Sequence, residues 1–488
     1  MSGVPGPVTV GIDIGTTSVK AVAVDGAGQV VARSRVPHRI FTPQPDLMEH
    51  DAKKAWRDGP RKAYTAVLKV LDAPIAGIGV SAMVPSFTAV DRRGIPLLPG
   101  LLYGDARGHL EPEATAARPA GPGGGSVPAT AEDAWSGEGM ANETTNQLMP
   151  ESEGFLHWAV ASAPQAAGYW PAQAVATHAL SGIAAIDTAV GASLGPLLHH
   201  GAWSEKALAR AGADVAKLPT IVQMCASAGT LPGTDTVITG GTVDAFCDQL
   251  VAGATEPGDV LVIFGATLIV WAVADDWVTA PGLGTMPHTV PGRVLVGGPS
   301  NAGALFVDWA RSLLRGAERP GTRRKVPDRP GDPERVPVWL PYLRGERSPY
   351  HNPMLRASVH GLDISQGTAA IERGVYEASG FVVRHMLELS GLAGRRIVAS
   401  GGGSQSSAWM AAVADTTGLP VDRVAVPEGA AFGVAFVARM AAGLEPSLED
   451  AVRWARTGGR VEPDPTWAKA ADRRYRAFRE LGPGYIPG

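Results

Sequence analysis

Asp13 stands near the end of an apolar run, Val8 to Ile14, and is followed at once by Gly15, Thr16, Thr17 and Ser18. Asp is disfavoured in strands and costly to bury unpaired, so its place there calls for chemistry or for a dedicated structural partner. Backbone N–H groups and hydroxyls of the Gly-Thr-Thr-Ser break suit an anion, and an acid beside them suits a cation. Together they point to a phosphate with magnesium. A polar turn whose Asp13 is satisfied by neighbouring amides fits the same residues equally well. Asp244, in "GGTVDAF", suits a helix N-cap. Gly265, Ala266 and Thr267 break a second apolar run, and Gly401, Gly402 and Gly403 precede a helix start near Ser406. That helix N-terminus suits a phosphate or a nucleotide's sugar, although a flexible turn would need the same glycines. The four elements in this order and spacing are far more specific than any one of them.

The elements that must position these residues alternate in type. Val10, Ile12 and Ile14, then Val19, Ala21, Ala23 and Val24 before Asp25-Gly26, predict a strand pair. A helix over about 51–71 and a buried strand in "IAGIGVSAM" follow, and interleaved strands and helices indicate an α/β fold. Residues 111–140 lose periodicity and read as an insertion or loop. Ala-rich helical stretches lead to "DTVITGGTVDAFCDQLVAGA", a strand, a Gly-Gly turn and a helix start. "GDVLVIFGATLIVWAVADDW" then repeats the opening design of strand, Gly and Thr break, strand and acidic turn. Late in the chain "RRIVAS", "GGGSQSSAWMAAVADTTG", "LPVDRVAV" and "PEGAAFGVAFVARMAAG" predict strand, Gly loop and helix, strand, helix. The basic, Pro-rich segment 311–335 reads as a solvated loop.

The 488 residues are enough for two or more domains, and 18% charged with 45% hydrophobic residues is ordinary for a globular chain. A net charge of −4 provides no field for nucleic acid or an anionic membrane, so small molecules are the expected partners. Cys225 and Cys247 are the only cysteines, too few for a disulfide framework or a cysteine zinc site. The first basic residue is Lys20, there is no secretory start, and the uncharged runs are too short or too polar to span a bilayer, so a cytoplasmic location is expected. No Lys follows a Gly, which removes the P-loop, and His-Glu-x-x-His is also absent. "DTAVGAS", from Asp187, faintly resembles a ribokinase-type anion hole, but its spacing is wrong and the final Asp is missing.

"VGIDIGTTSVKAVAVDGAGQVV", "IGVSAMVPSFTAVDRRGIPLLPGLLYGDAR", "GGTVDAFCDQLVAGATEPGDV", "YLRGERSPYHNPMLRASVHGL" and "GGGSQSSAWMAAVADTTGLPV" together resemble the FGGY carbohydrate kinases, which include xylulokinase, gluconokinase, ribulokinase and glycerol kinase. The resemblance runs from about Val8 to Gly443. It implies two ribonuclease-H-like domains of the actin and sugar-kinase superfamily with a central cleft where ATP and sugar meet. The boundaries expected are 1–250 for the N-terminal domain, 251–445 for the C-terminal domain and 446–488 for a helical tail. It implies Asp244 as the base that accepts the proton of a sugar hydroxyl, and Asp13 as the acid orienting Mg2+, usually through water. Gly15, Thr16, Thr17 and Ser18 match the first phosphate loop, and Gly265, Ala266 and Thr267 the second, where relatives carry Thr in place of Ala266. Gly401, Gly402, Gly403 and Ser406 match the adenosine turn, and Gly303 in "SNAGALFVDW" a glycine near the adenine.

The substrate segment departs most from the family. Xylulokinases read Ser-Gly-Gln-Met-His-Gly there, whereas this chain reads Ser81-Ala82-Met83-Val84-Pro85-Ser86, with Pro85 where the His is expected. The apolar Met83, Val84 and Pro85 predict a less polar pocket, suited to a deoxy-sugar, a polyol or an unusual ketose. Asp105 and Arg107 match positions close to the sugar, and a structural ion pair would use them equally well. The leading expectation is an ATP-dependent kinase acting on a ketose such as xylulose or ribulose, or on a related polyol. A degenerate binding or regulatory protein and a non-sugar actin-like ATPase are the alternatives. Homodimers are common among relatives, but the oligomeric state is not legible from sequence.

Overall fold

The computed structural model describes residues 6–44, 46–108, 152–199, 201–315 and 327–483. The expected insertion at 111–140 lies outside them, as does the middle of the basic segment. The chain forms two compact units: Met1–Val251 with Met286–Gly292 and Glu428–Ala455, and Ala252–Thr285 with Arg293–Pro427 and Arg456–Gly488.

The first unit is built on β1 (Val8–Ile14), β2 (Ser18–Val24), β3 (Val30–Pro37), β4 (Ile75–Ala82), β5 (Val237–Thr239) and β6 (Thr242–Val243). β1 and β2 make the expected antiparallel hairpin, β1 runs parallel to β4, and β5 and β6 extend β4's other side in parallel. Every residue of β1 is buried, as in a strand covered on both faces. One cover is helix Gly429–Ala441. A Cβ at Gly11 would lie 1.8 Å from Ala431 O, one at Gly79 2.5 Å from Val434 O, and one at Gly77 2.7 Å from Ala438 O. The helix backbone therefore rests on a row of strand glycines, and Thr9 Oγ1 donates to Ala435 O at 2.8 Å. Residues 429–441, expected within a C-terminal domain, thus complete the first unit's core.

The second unit repeats the plan with β7 (Asp259–Phe264), β8 (Leu268–Ala274), β9 (Val294–Ser300), β10 (Arg396–Ser400), β11 (Val421–Val424) and β12 (Thr457–Val461). β7 and β8 form an antiparallel hairpin, and β10 and β11 run parallel to β7 on its other side. β9 pairs with β8, and β12 closes the far edge on β11. The segment 446–488 is therefore no simple helical tail. It holds a 3-10 turn at Leu448–Trp454, then β12, then helix Pro465–Leu481. The strand escapes sequence reading because Thr457-Gly-Gly-Arg has little β-propensity, and pairing with β11 supplies what propensity lacks. The basic segment also begins in a helix, Ala304–Arg315, and not in a loop.

Candidate active site

Strand register assembles the first unit's chemistry. Asp13 on β1 lies opposite Ser81 on β4, and Ser81 lies opposite Thr242 on β6, so the three form one row across the sheet. Asp244 follows two residues beyond Thr242, as the first residue of helix Asp244–Ala252. Asp13 is 5% exposed, and Ser81 Oγ donates to its Oδ1 at 3.2 Å. Burial raises the Asp13 pKa, opposed by Lys20, its cross-strand neighbour, and by the Ser81 hydrogen bond. Asp244 Oδ1 accepts from Ala245 N at 2.7 Å. Enclosure by protein, followed by the charge of Asp13, pushes the Asp244 carboxyl up to about 7. Two carboxylates held close in a poorly solvated site cannot both ionise freely, and the outcome is one acid able to take a proton near neutrality.

The turn beside Asp13 is closed by Gly15 N donating to Ser18 O at 3.1 Å. Thr16 Oγ1 pairs with Tyr103 Oη at 3.0 Å, and Ser18, buried, accepts from Arg35 Nε at 3.1 Å. Thr17 is the one exposed hydroxyl of the three. His38 N donates to Thr17 O at 3.0 Å. Trp56 Nε1 donates to His50 Nδ1 at 3.0 Å, which fixes the tautomer and lets His50 Nε2–H donate to Thr16 O at 2.8 Å.

These histidines make stability depend on pH. Burial, and then His38, hold His50 down at about 3, while burial holds His38 at about 4. Folded pKa values below the unfolded value near 6.5 mean that the unfolded chain binds protons first. Stability is therefore fully present above about 6.5 and is lost as pH falls from there toward 4, by up to about 1.4 kcal/mol per pH unit for each histidine. His178 and His385, also depressed, add to the same trend. Between pH 7 and 5 the buried carboxyls of Asp187, Asp244 and Glu346, raised to about 7, take up protons first in the folded state and oppose this trend. The histidine contribution is therefore read by difference: over that range the thermal midpoint of His50→Gln is expected to fall less, or rise more, than the parent's.

The other expected substrate residues are placed less openly. Met83, Val84 and Pro85 follow β4 directly and all are buried. Asp105 is fully buried and accepts from Met48 N at 2.6 Å, from Arg107 N and Nε at 2.9 Å, and from an Arg107 terminal nitrogen at 2.7 Å. Arg107 also reaches Glu49 at 2.6 Å. The ion-pair alternative is thus present, and it occupies both Asp105 oxygens.

Two residues hold the turn leading to Asp244: Asp187, whose segment is a poor match to an anion hole, and Gln173, to which sequence reading gives no role. Asp187 N donates to Gly241 O at 2.9 Å, and Gln173 Nε2 donates to Ala82 O at 2.9 Å and to Thr242 O at 3.4 Å. Burial raises Asp187 to about 7. The one available signal was Gln173 itself, a polar residue among the alanines of helix Ala172–Ser181.

In the second unit the turn Gly265–Thr267 joins β7 to β8, the counterpart of the first hairpin. Three residues separate the paired Phe264 and Leu268, against four between Ile14 and Val19. Ile263 stands where the first hairpin has Asp13, so the second turn has no acid. Helix Ala304–Arg315 starts on this turn, with Ala304 N donating to Gly265 O at 2.9 Å and Leu305 N to Ala266 O at 3.0 Å. A Cβ at Gly303 would lie 2.3 Å from Thr267 C. Gly401, at φ +82°, would bring a Cβ within 2.8 Å of Phe264 O, whereas a Cβ at Gly402 meets nothing within 4 Å. Ser406 caps helix Ser407–Thr417, accepting from Trp409 N at 3.3 Å. Within this unit Gly265–Thr267, Gly303 and Gly401–Gly403 thus converge around Phe264 and Thr267.

The donor sets fit the groups implied. A lone carboxylate with hydroxyls beside it suits Mg2+, which keeps several waters and takes one or two carboxylates together with substrate phosphates. Among the described residues no cluster of three or more His, Cys, Asp or Glu could hold a metal, and no helix is long and apolar enough to cross a membrane. Gly303, Gly401 and Gly403 pack too tightly for a side chain and Gly402 faces open space, which leaves backbone available to adenosine.

The model of the FGGY family of carbohydrate kinases, N-terminal domain, matches residues 8–115, and that of its C-terminal domain matches residues 266–442. The chain is 24% identical over 505 residues to a xylulose kinase of Escherichia coli, covering 98% of this chain and 99% of that one. It is 24% identical over 512 residues to an erythritol kinase of Brucella abortus, covering 97% and 96%. The solved xylulose kinase of Rhodospirillum rubrum matches with a TM-score of 0.72 at 26% identity, over 97% of this chain and 98% of that one. These likenesses run the length of the chain and agree with the two-unit α/β fold. The chain belongs to the FGGY family of carbohydrate kinases, enzymes that transfer a phosphoryl group to a sugar or polyol.

Proposed function

We propose that the protein transfers the γ-phosphoryl group of ATP to a hydroxyl of a ketose or related polyol, with Asp244 as general base. The observation that carries this reading is the Asp13, Ser81 and Asp244 arrangement, in which burial and a neighbouring acid leave Asp244 ready to accept a proton near pH 7. Asp244 takes the proton of the attacking hydroxyl, the oxygen forms its bond to the γ-phosphorus, and the bond from that phosphorus to the bridging oxygen of ADP breaks. In so loose a transfer, positioning and charge neutralisation lower the barrier more than base strength does. Asp13 would hold Mg2+ through water, and the ion would neutralise phosphate charge. The amides of Thr16 and Thr17 and the Thr17 hydroxyl would hold phosphate oxygens, as would the turn Gly265–Thr267. Gly303, Gly401–Gly403 and Ser406 would hold adenosine. With Ala266 in place of a hydroxyl residue, one neutral hydrogen bond worth about 1 kcal/mol is forgone.

The substrate reading is a ketose or polyol with fewer hydroxyl contacts than a xylulose pocket makes. Pro85 replaces the family's His, Asp105 is held by Arg107, and relatives bear the names of a ketose kinase and of a polyol kinase. ADP release measured across ketoses, deoxy-ketoses, polyols and aldonates tests it. Highest kcat/KM for a deoxy-ketose or polyol supports the reading, and turnover confined to fully hydroxylated pentuloses removes it.

A further inference from the structure

Glu346 lies in "GERSP", a segment to which no chemistry has been assigned above. Its carboxylate is 3% exposed and collects three donors: Ser300 Oγ at 2.7 Å on Oε2, and Asn301 N at 2.8 Å and Arg347 N at 2.7 Å on Oε1. Ser300 Oγ in turn accepts from Ala302 N at 3.1 Å, and Asn301 Nδ2 donates to Gly345 O at 3.0 Å and Arg344 O at 3.3 Å. Ser348 N adds a bond to Pro299 O at 2.9 Å. One buried acid therefore stitches Ser300–Ala302 to the segment Arg344–Ser348.

That stitched segment is what holds the turn Gly265–Thr267. Ser300 ends β9 and lies opposite Leu268, the residue after Thr267. Gly303 then packs against Thr267, and the amides of Ala304 and Leu305 grip the carbonyls of Gly265 and Ala266. Removing the acid leaves one buried and two part-buried donors without this acceptor and frees the start of helix Ala304–Arg315 to shift.

We propose that Glu346 is a positioning residue for the second phosphate turn and thereby sets affinity for the polyphosphate of ATP. This rests on the reading above that Gly265–Thr267 binds phosphate. The hydrogen bonds of Glu346 go to Ser300, Asn301 and Arg347 and not to the turn itself, so its effect should appear, through that segment, in nucleotide phosphate binding and not in sugar binding.

The test uses the full chain and its Glu346→Gln, Glu346→Ala and Ser300→Ala variants, with MgATP and AMP binding followed by calorimetry, KM for the sugar, and thermal midpoints. Glu346→Ala is expected to weaken MgATP binding at least about tenfold. Glu346→Gln, which keeps an acceptor for Asn301 N and Arg347 N, should fall between Ala and the parent. AMP binding, which shares only Gly303 with the stitched segment, should weaken by clearly less than MgATP binding, and sugar KM should change by less than about twofold. Equal losses for MgATP and AMP, or losses that simply track the thermal midpoint, would show a merely structural role and overturn the inference. Unchanged MgATP binding in all three variants overturns it while leaving the kinase reading intact. A parent protein that binds no MgATP overturns both.

Discussion

Asp244→Asn is expected to lower kcat by about 10²–10⁴-fold, the contribution of a positioned general base. Asn keeps the size of the side chain and can still accept from Ala245 N, but it cannot take a proton. The same change should leave the protein no less stable and raise its thermal midpoint, because it removes a charge that Asp13 and burial both disfavour. Activity and stability moving in opposite directions separate loss of a catalytic group from unfolding. The pH profile supplies the second signature. A carboxyl raised to about 7 is protonated below that value, so kcat/KM should be full above it and fall about tenfold per pH unit as pH decreases. Magnesium held at Asp13, as proposed, would stabilise the ionised form and place this limb at or below about 7. In Asp244→Asn the limb should vanish from the residual rate.

The second large effect belongs to the second unit's core. Glu377 is fully buried on helix Thr368–Ser390 and accepts from Arg373 Nε at 2.9 Å and from Arg474 at 2.7 Å through two nitrogens. Arg373 also reaches Asp415 at 2.8 Å, and Arg329 approaches Asp415 from the other side at 2.9 Å. Glu377 stays ionised because the two arginines around it outweigh its burial, holding its pKa below the usual value. Glu377→Ala would take from the buried Arg474 its carboxylate and leave Arg373, 1% exposed, with Asp415 alone, at a cost of about 3–5 kcal/mol. Urea unfolding should show that loss as a lower midpoint. Because Ser379, on the same helix, donates to Ala302 O at 2.7 Å, MgATP binding should weaken before global unfolding. A shift below about 1 kcal/mol would mean that the network is solvated in a way its burial does not suggest.

The parts legible in sequence are those whose chemistry is local. An acid inside an apolar strand, a Gly and Thr break, and a repeat of that break downstream are contiguous patterns, and both hairpins form where they predict. Ser406 as a helix start is likewise a matter of neighbouring residues. What was not legible depends on partners far along the chain. Nothing near residues 429–441 announces that the helix seats on Gly11, Gly77 and Gly79, because the complementarity lies in missing side chains several hundred residues away. Arg35 on the Ser18 hydroxyl, and Met48 N and Arg107 on the Asp105 oxygens, are likewise partners that the local sequence does not announce. Glu346 reads as part of a family signature, yet its three donors come from another strand and from its own turn. Hydrogen-bond satisfaction of buried polar groups is a tertiary property, and it decides which polar residues remain open to a ligand.

The fate of the γ-phosphoryl group decides whether this site is a sugar kinase. The protein is incubated with magnesium and ATP labelled in that group, with and without a ketose or polyol that supports ADP release. The expected result is label in an acid-stable phosphate ester of the acceptor, equal in amount to the ADP formed, absent without acceptor and nearly absent with Asp244→Asn. Label released only as inorganic phosphate, at a rate indifferent to the acceptor and to Asp244→Asn, would contradict it.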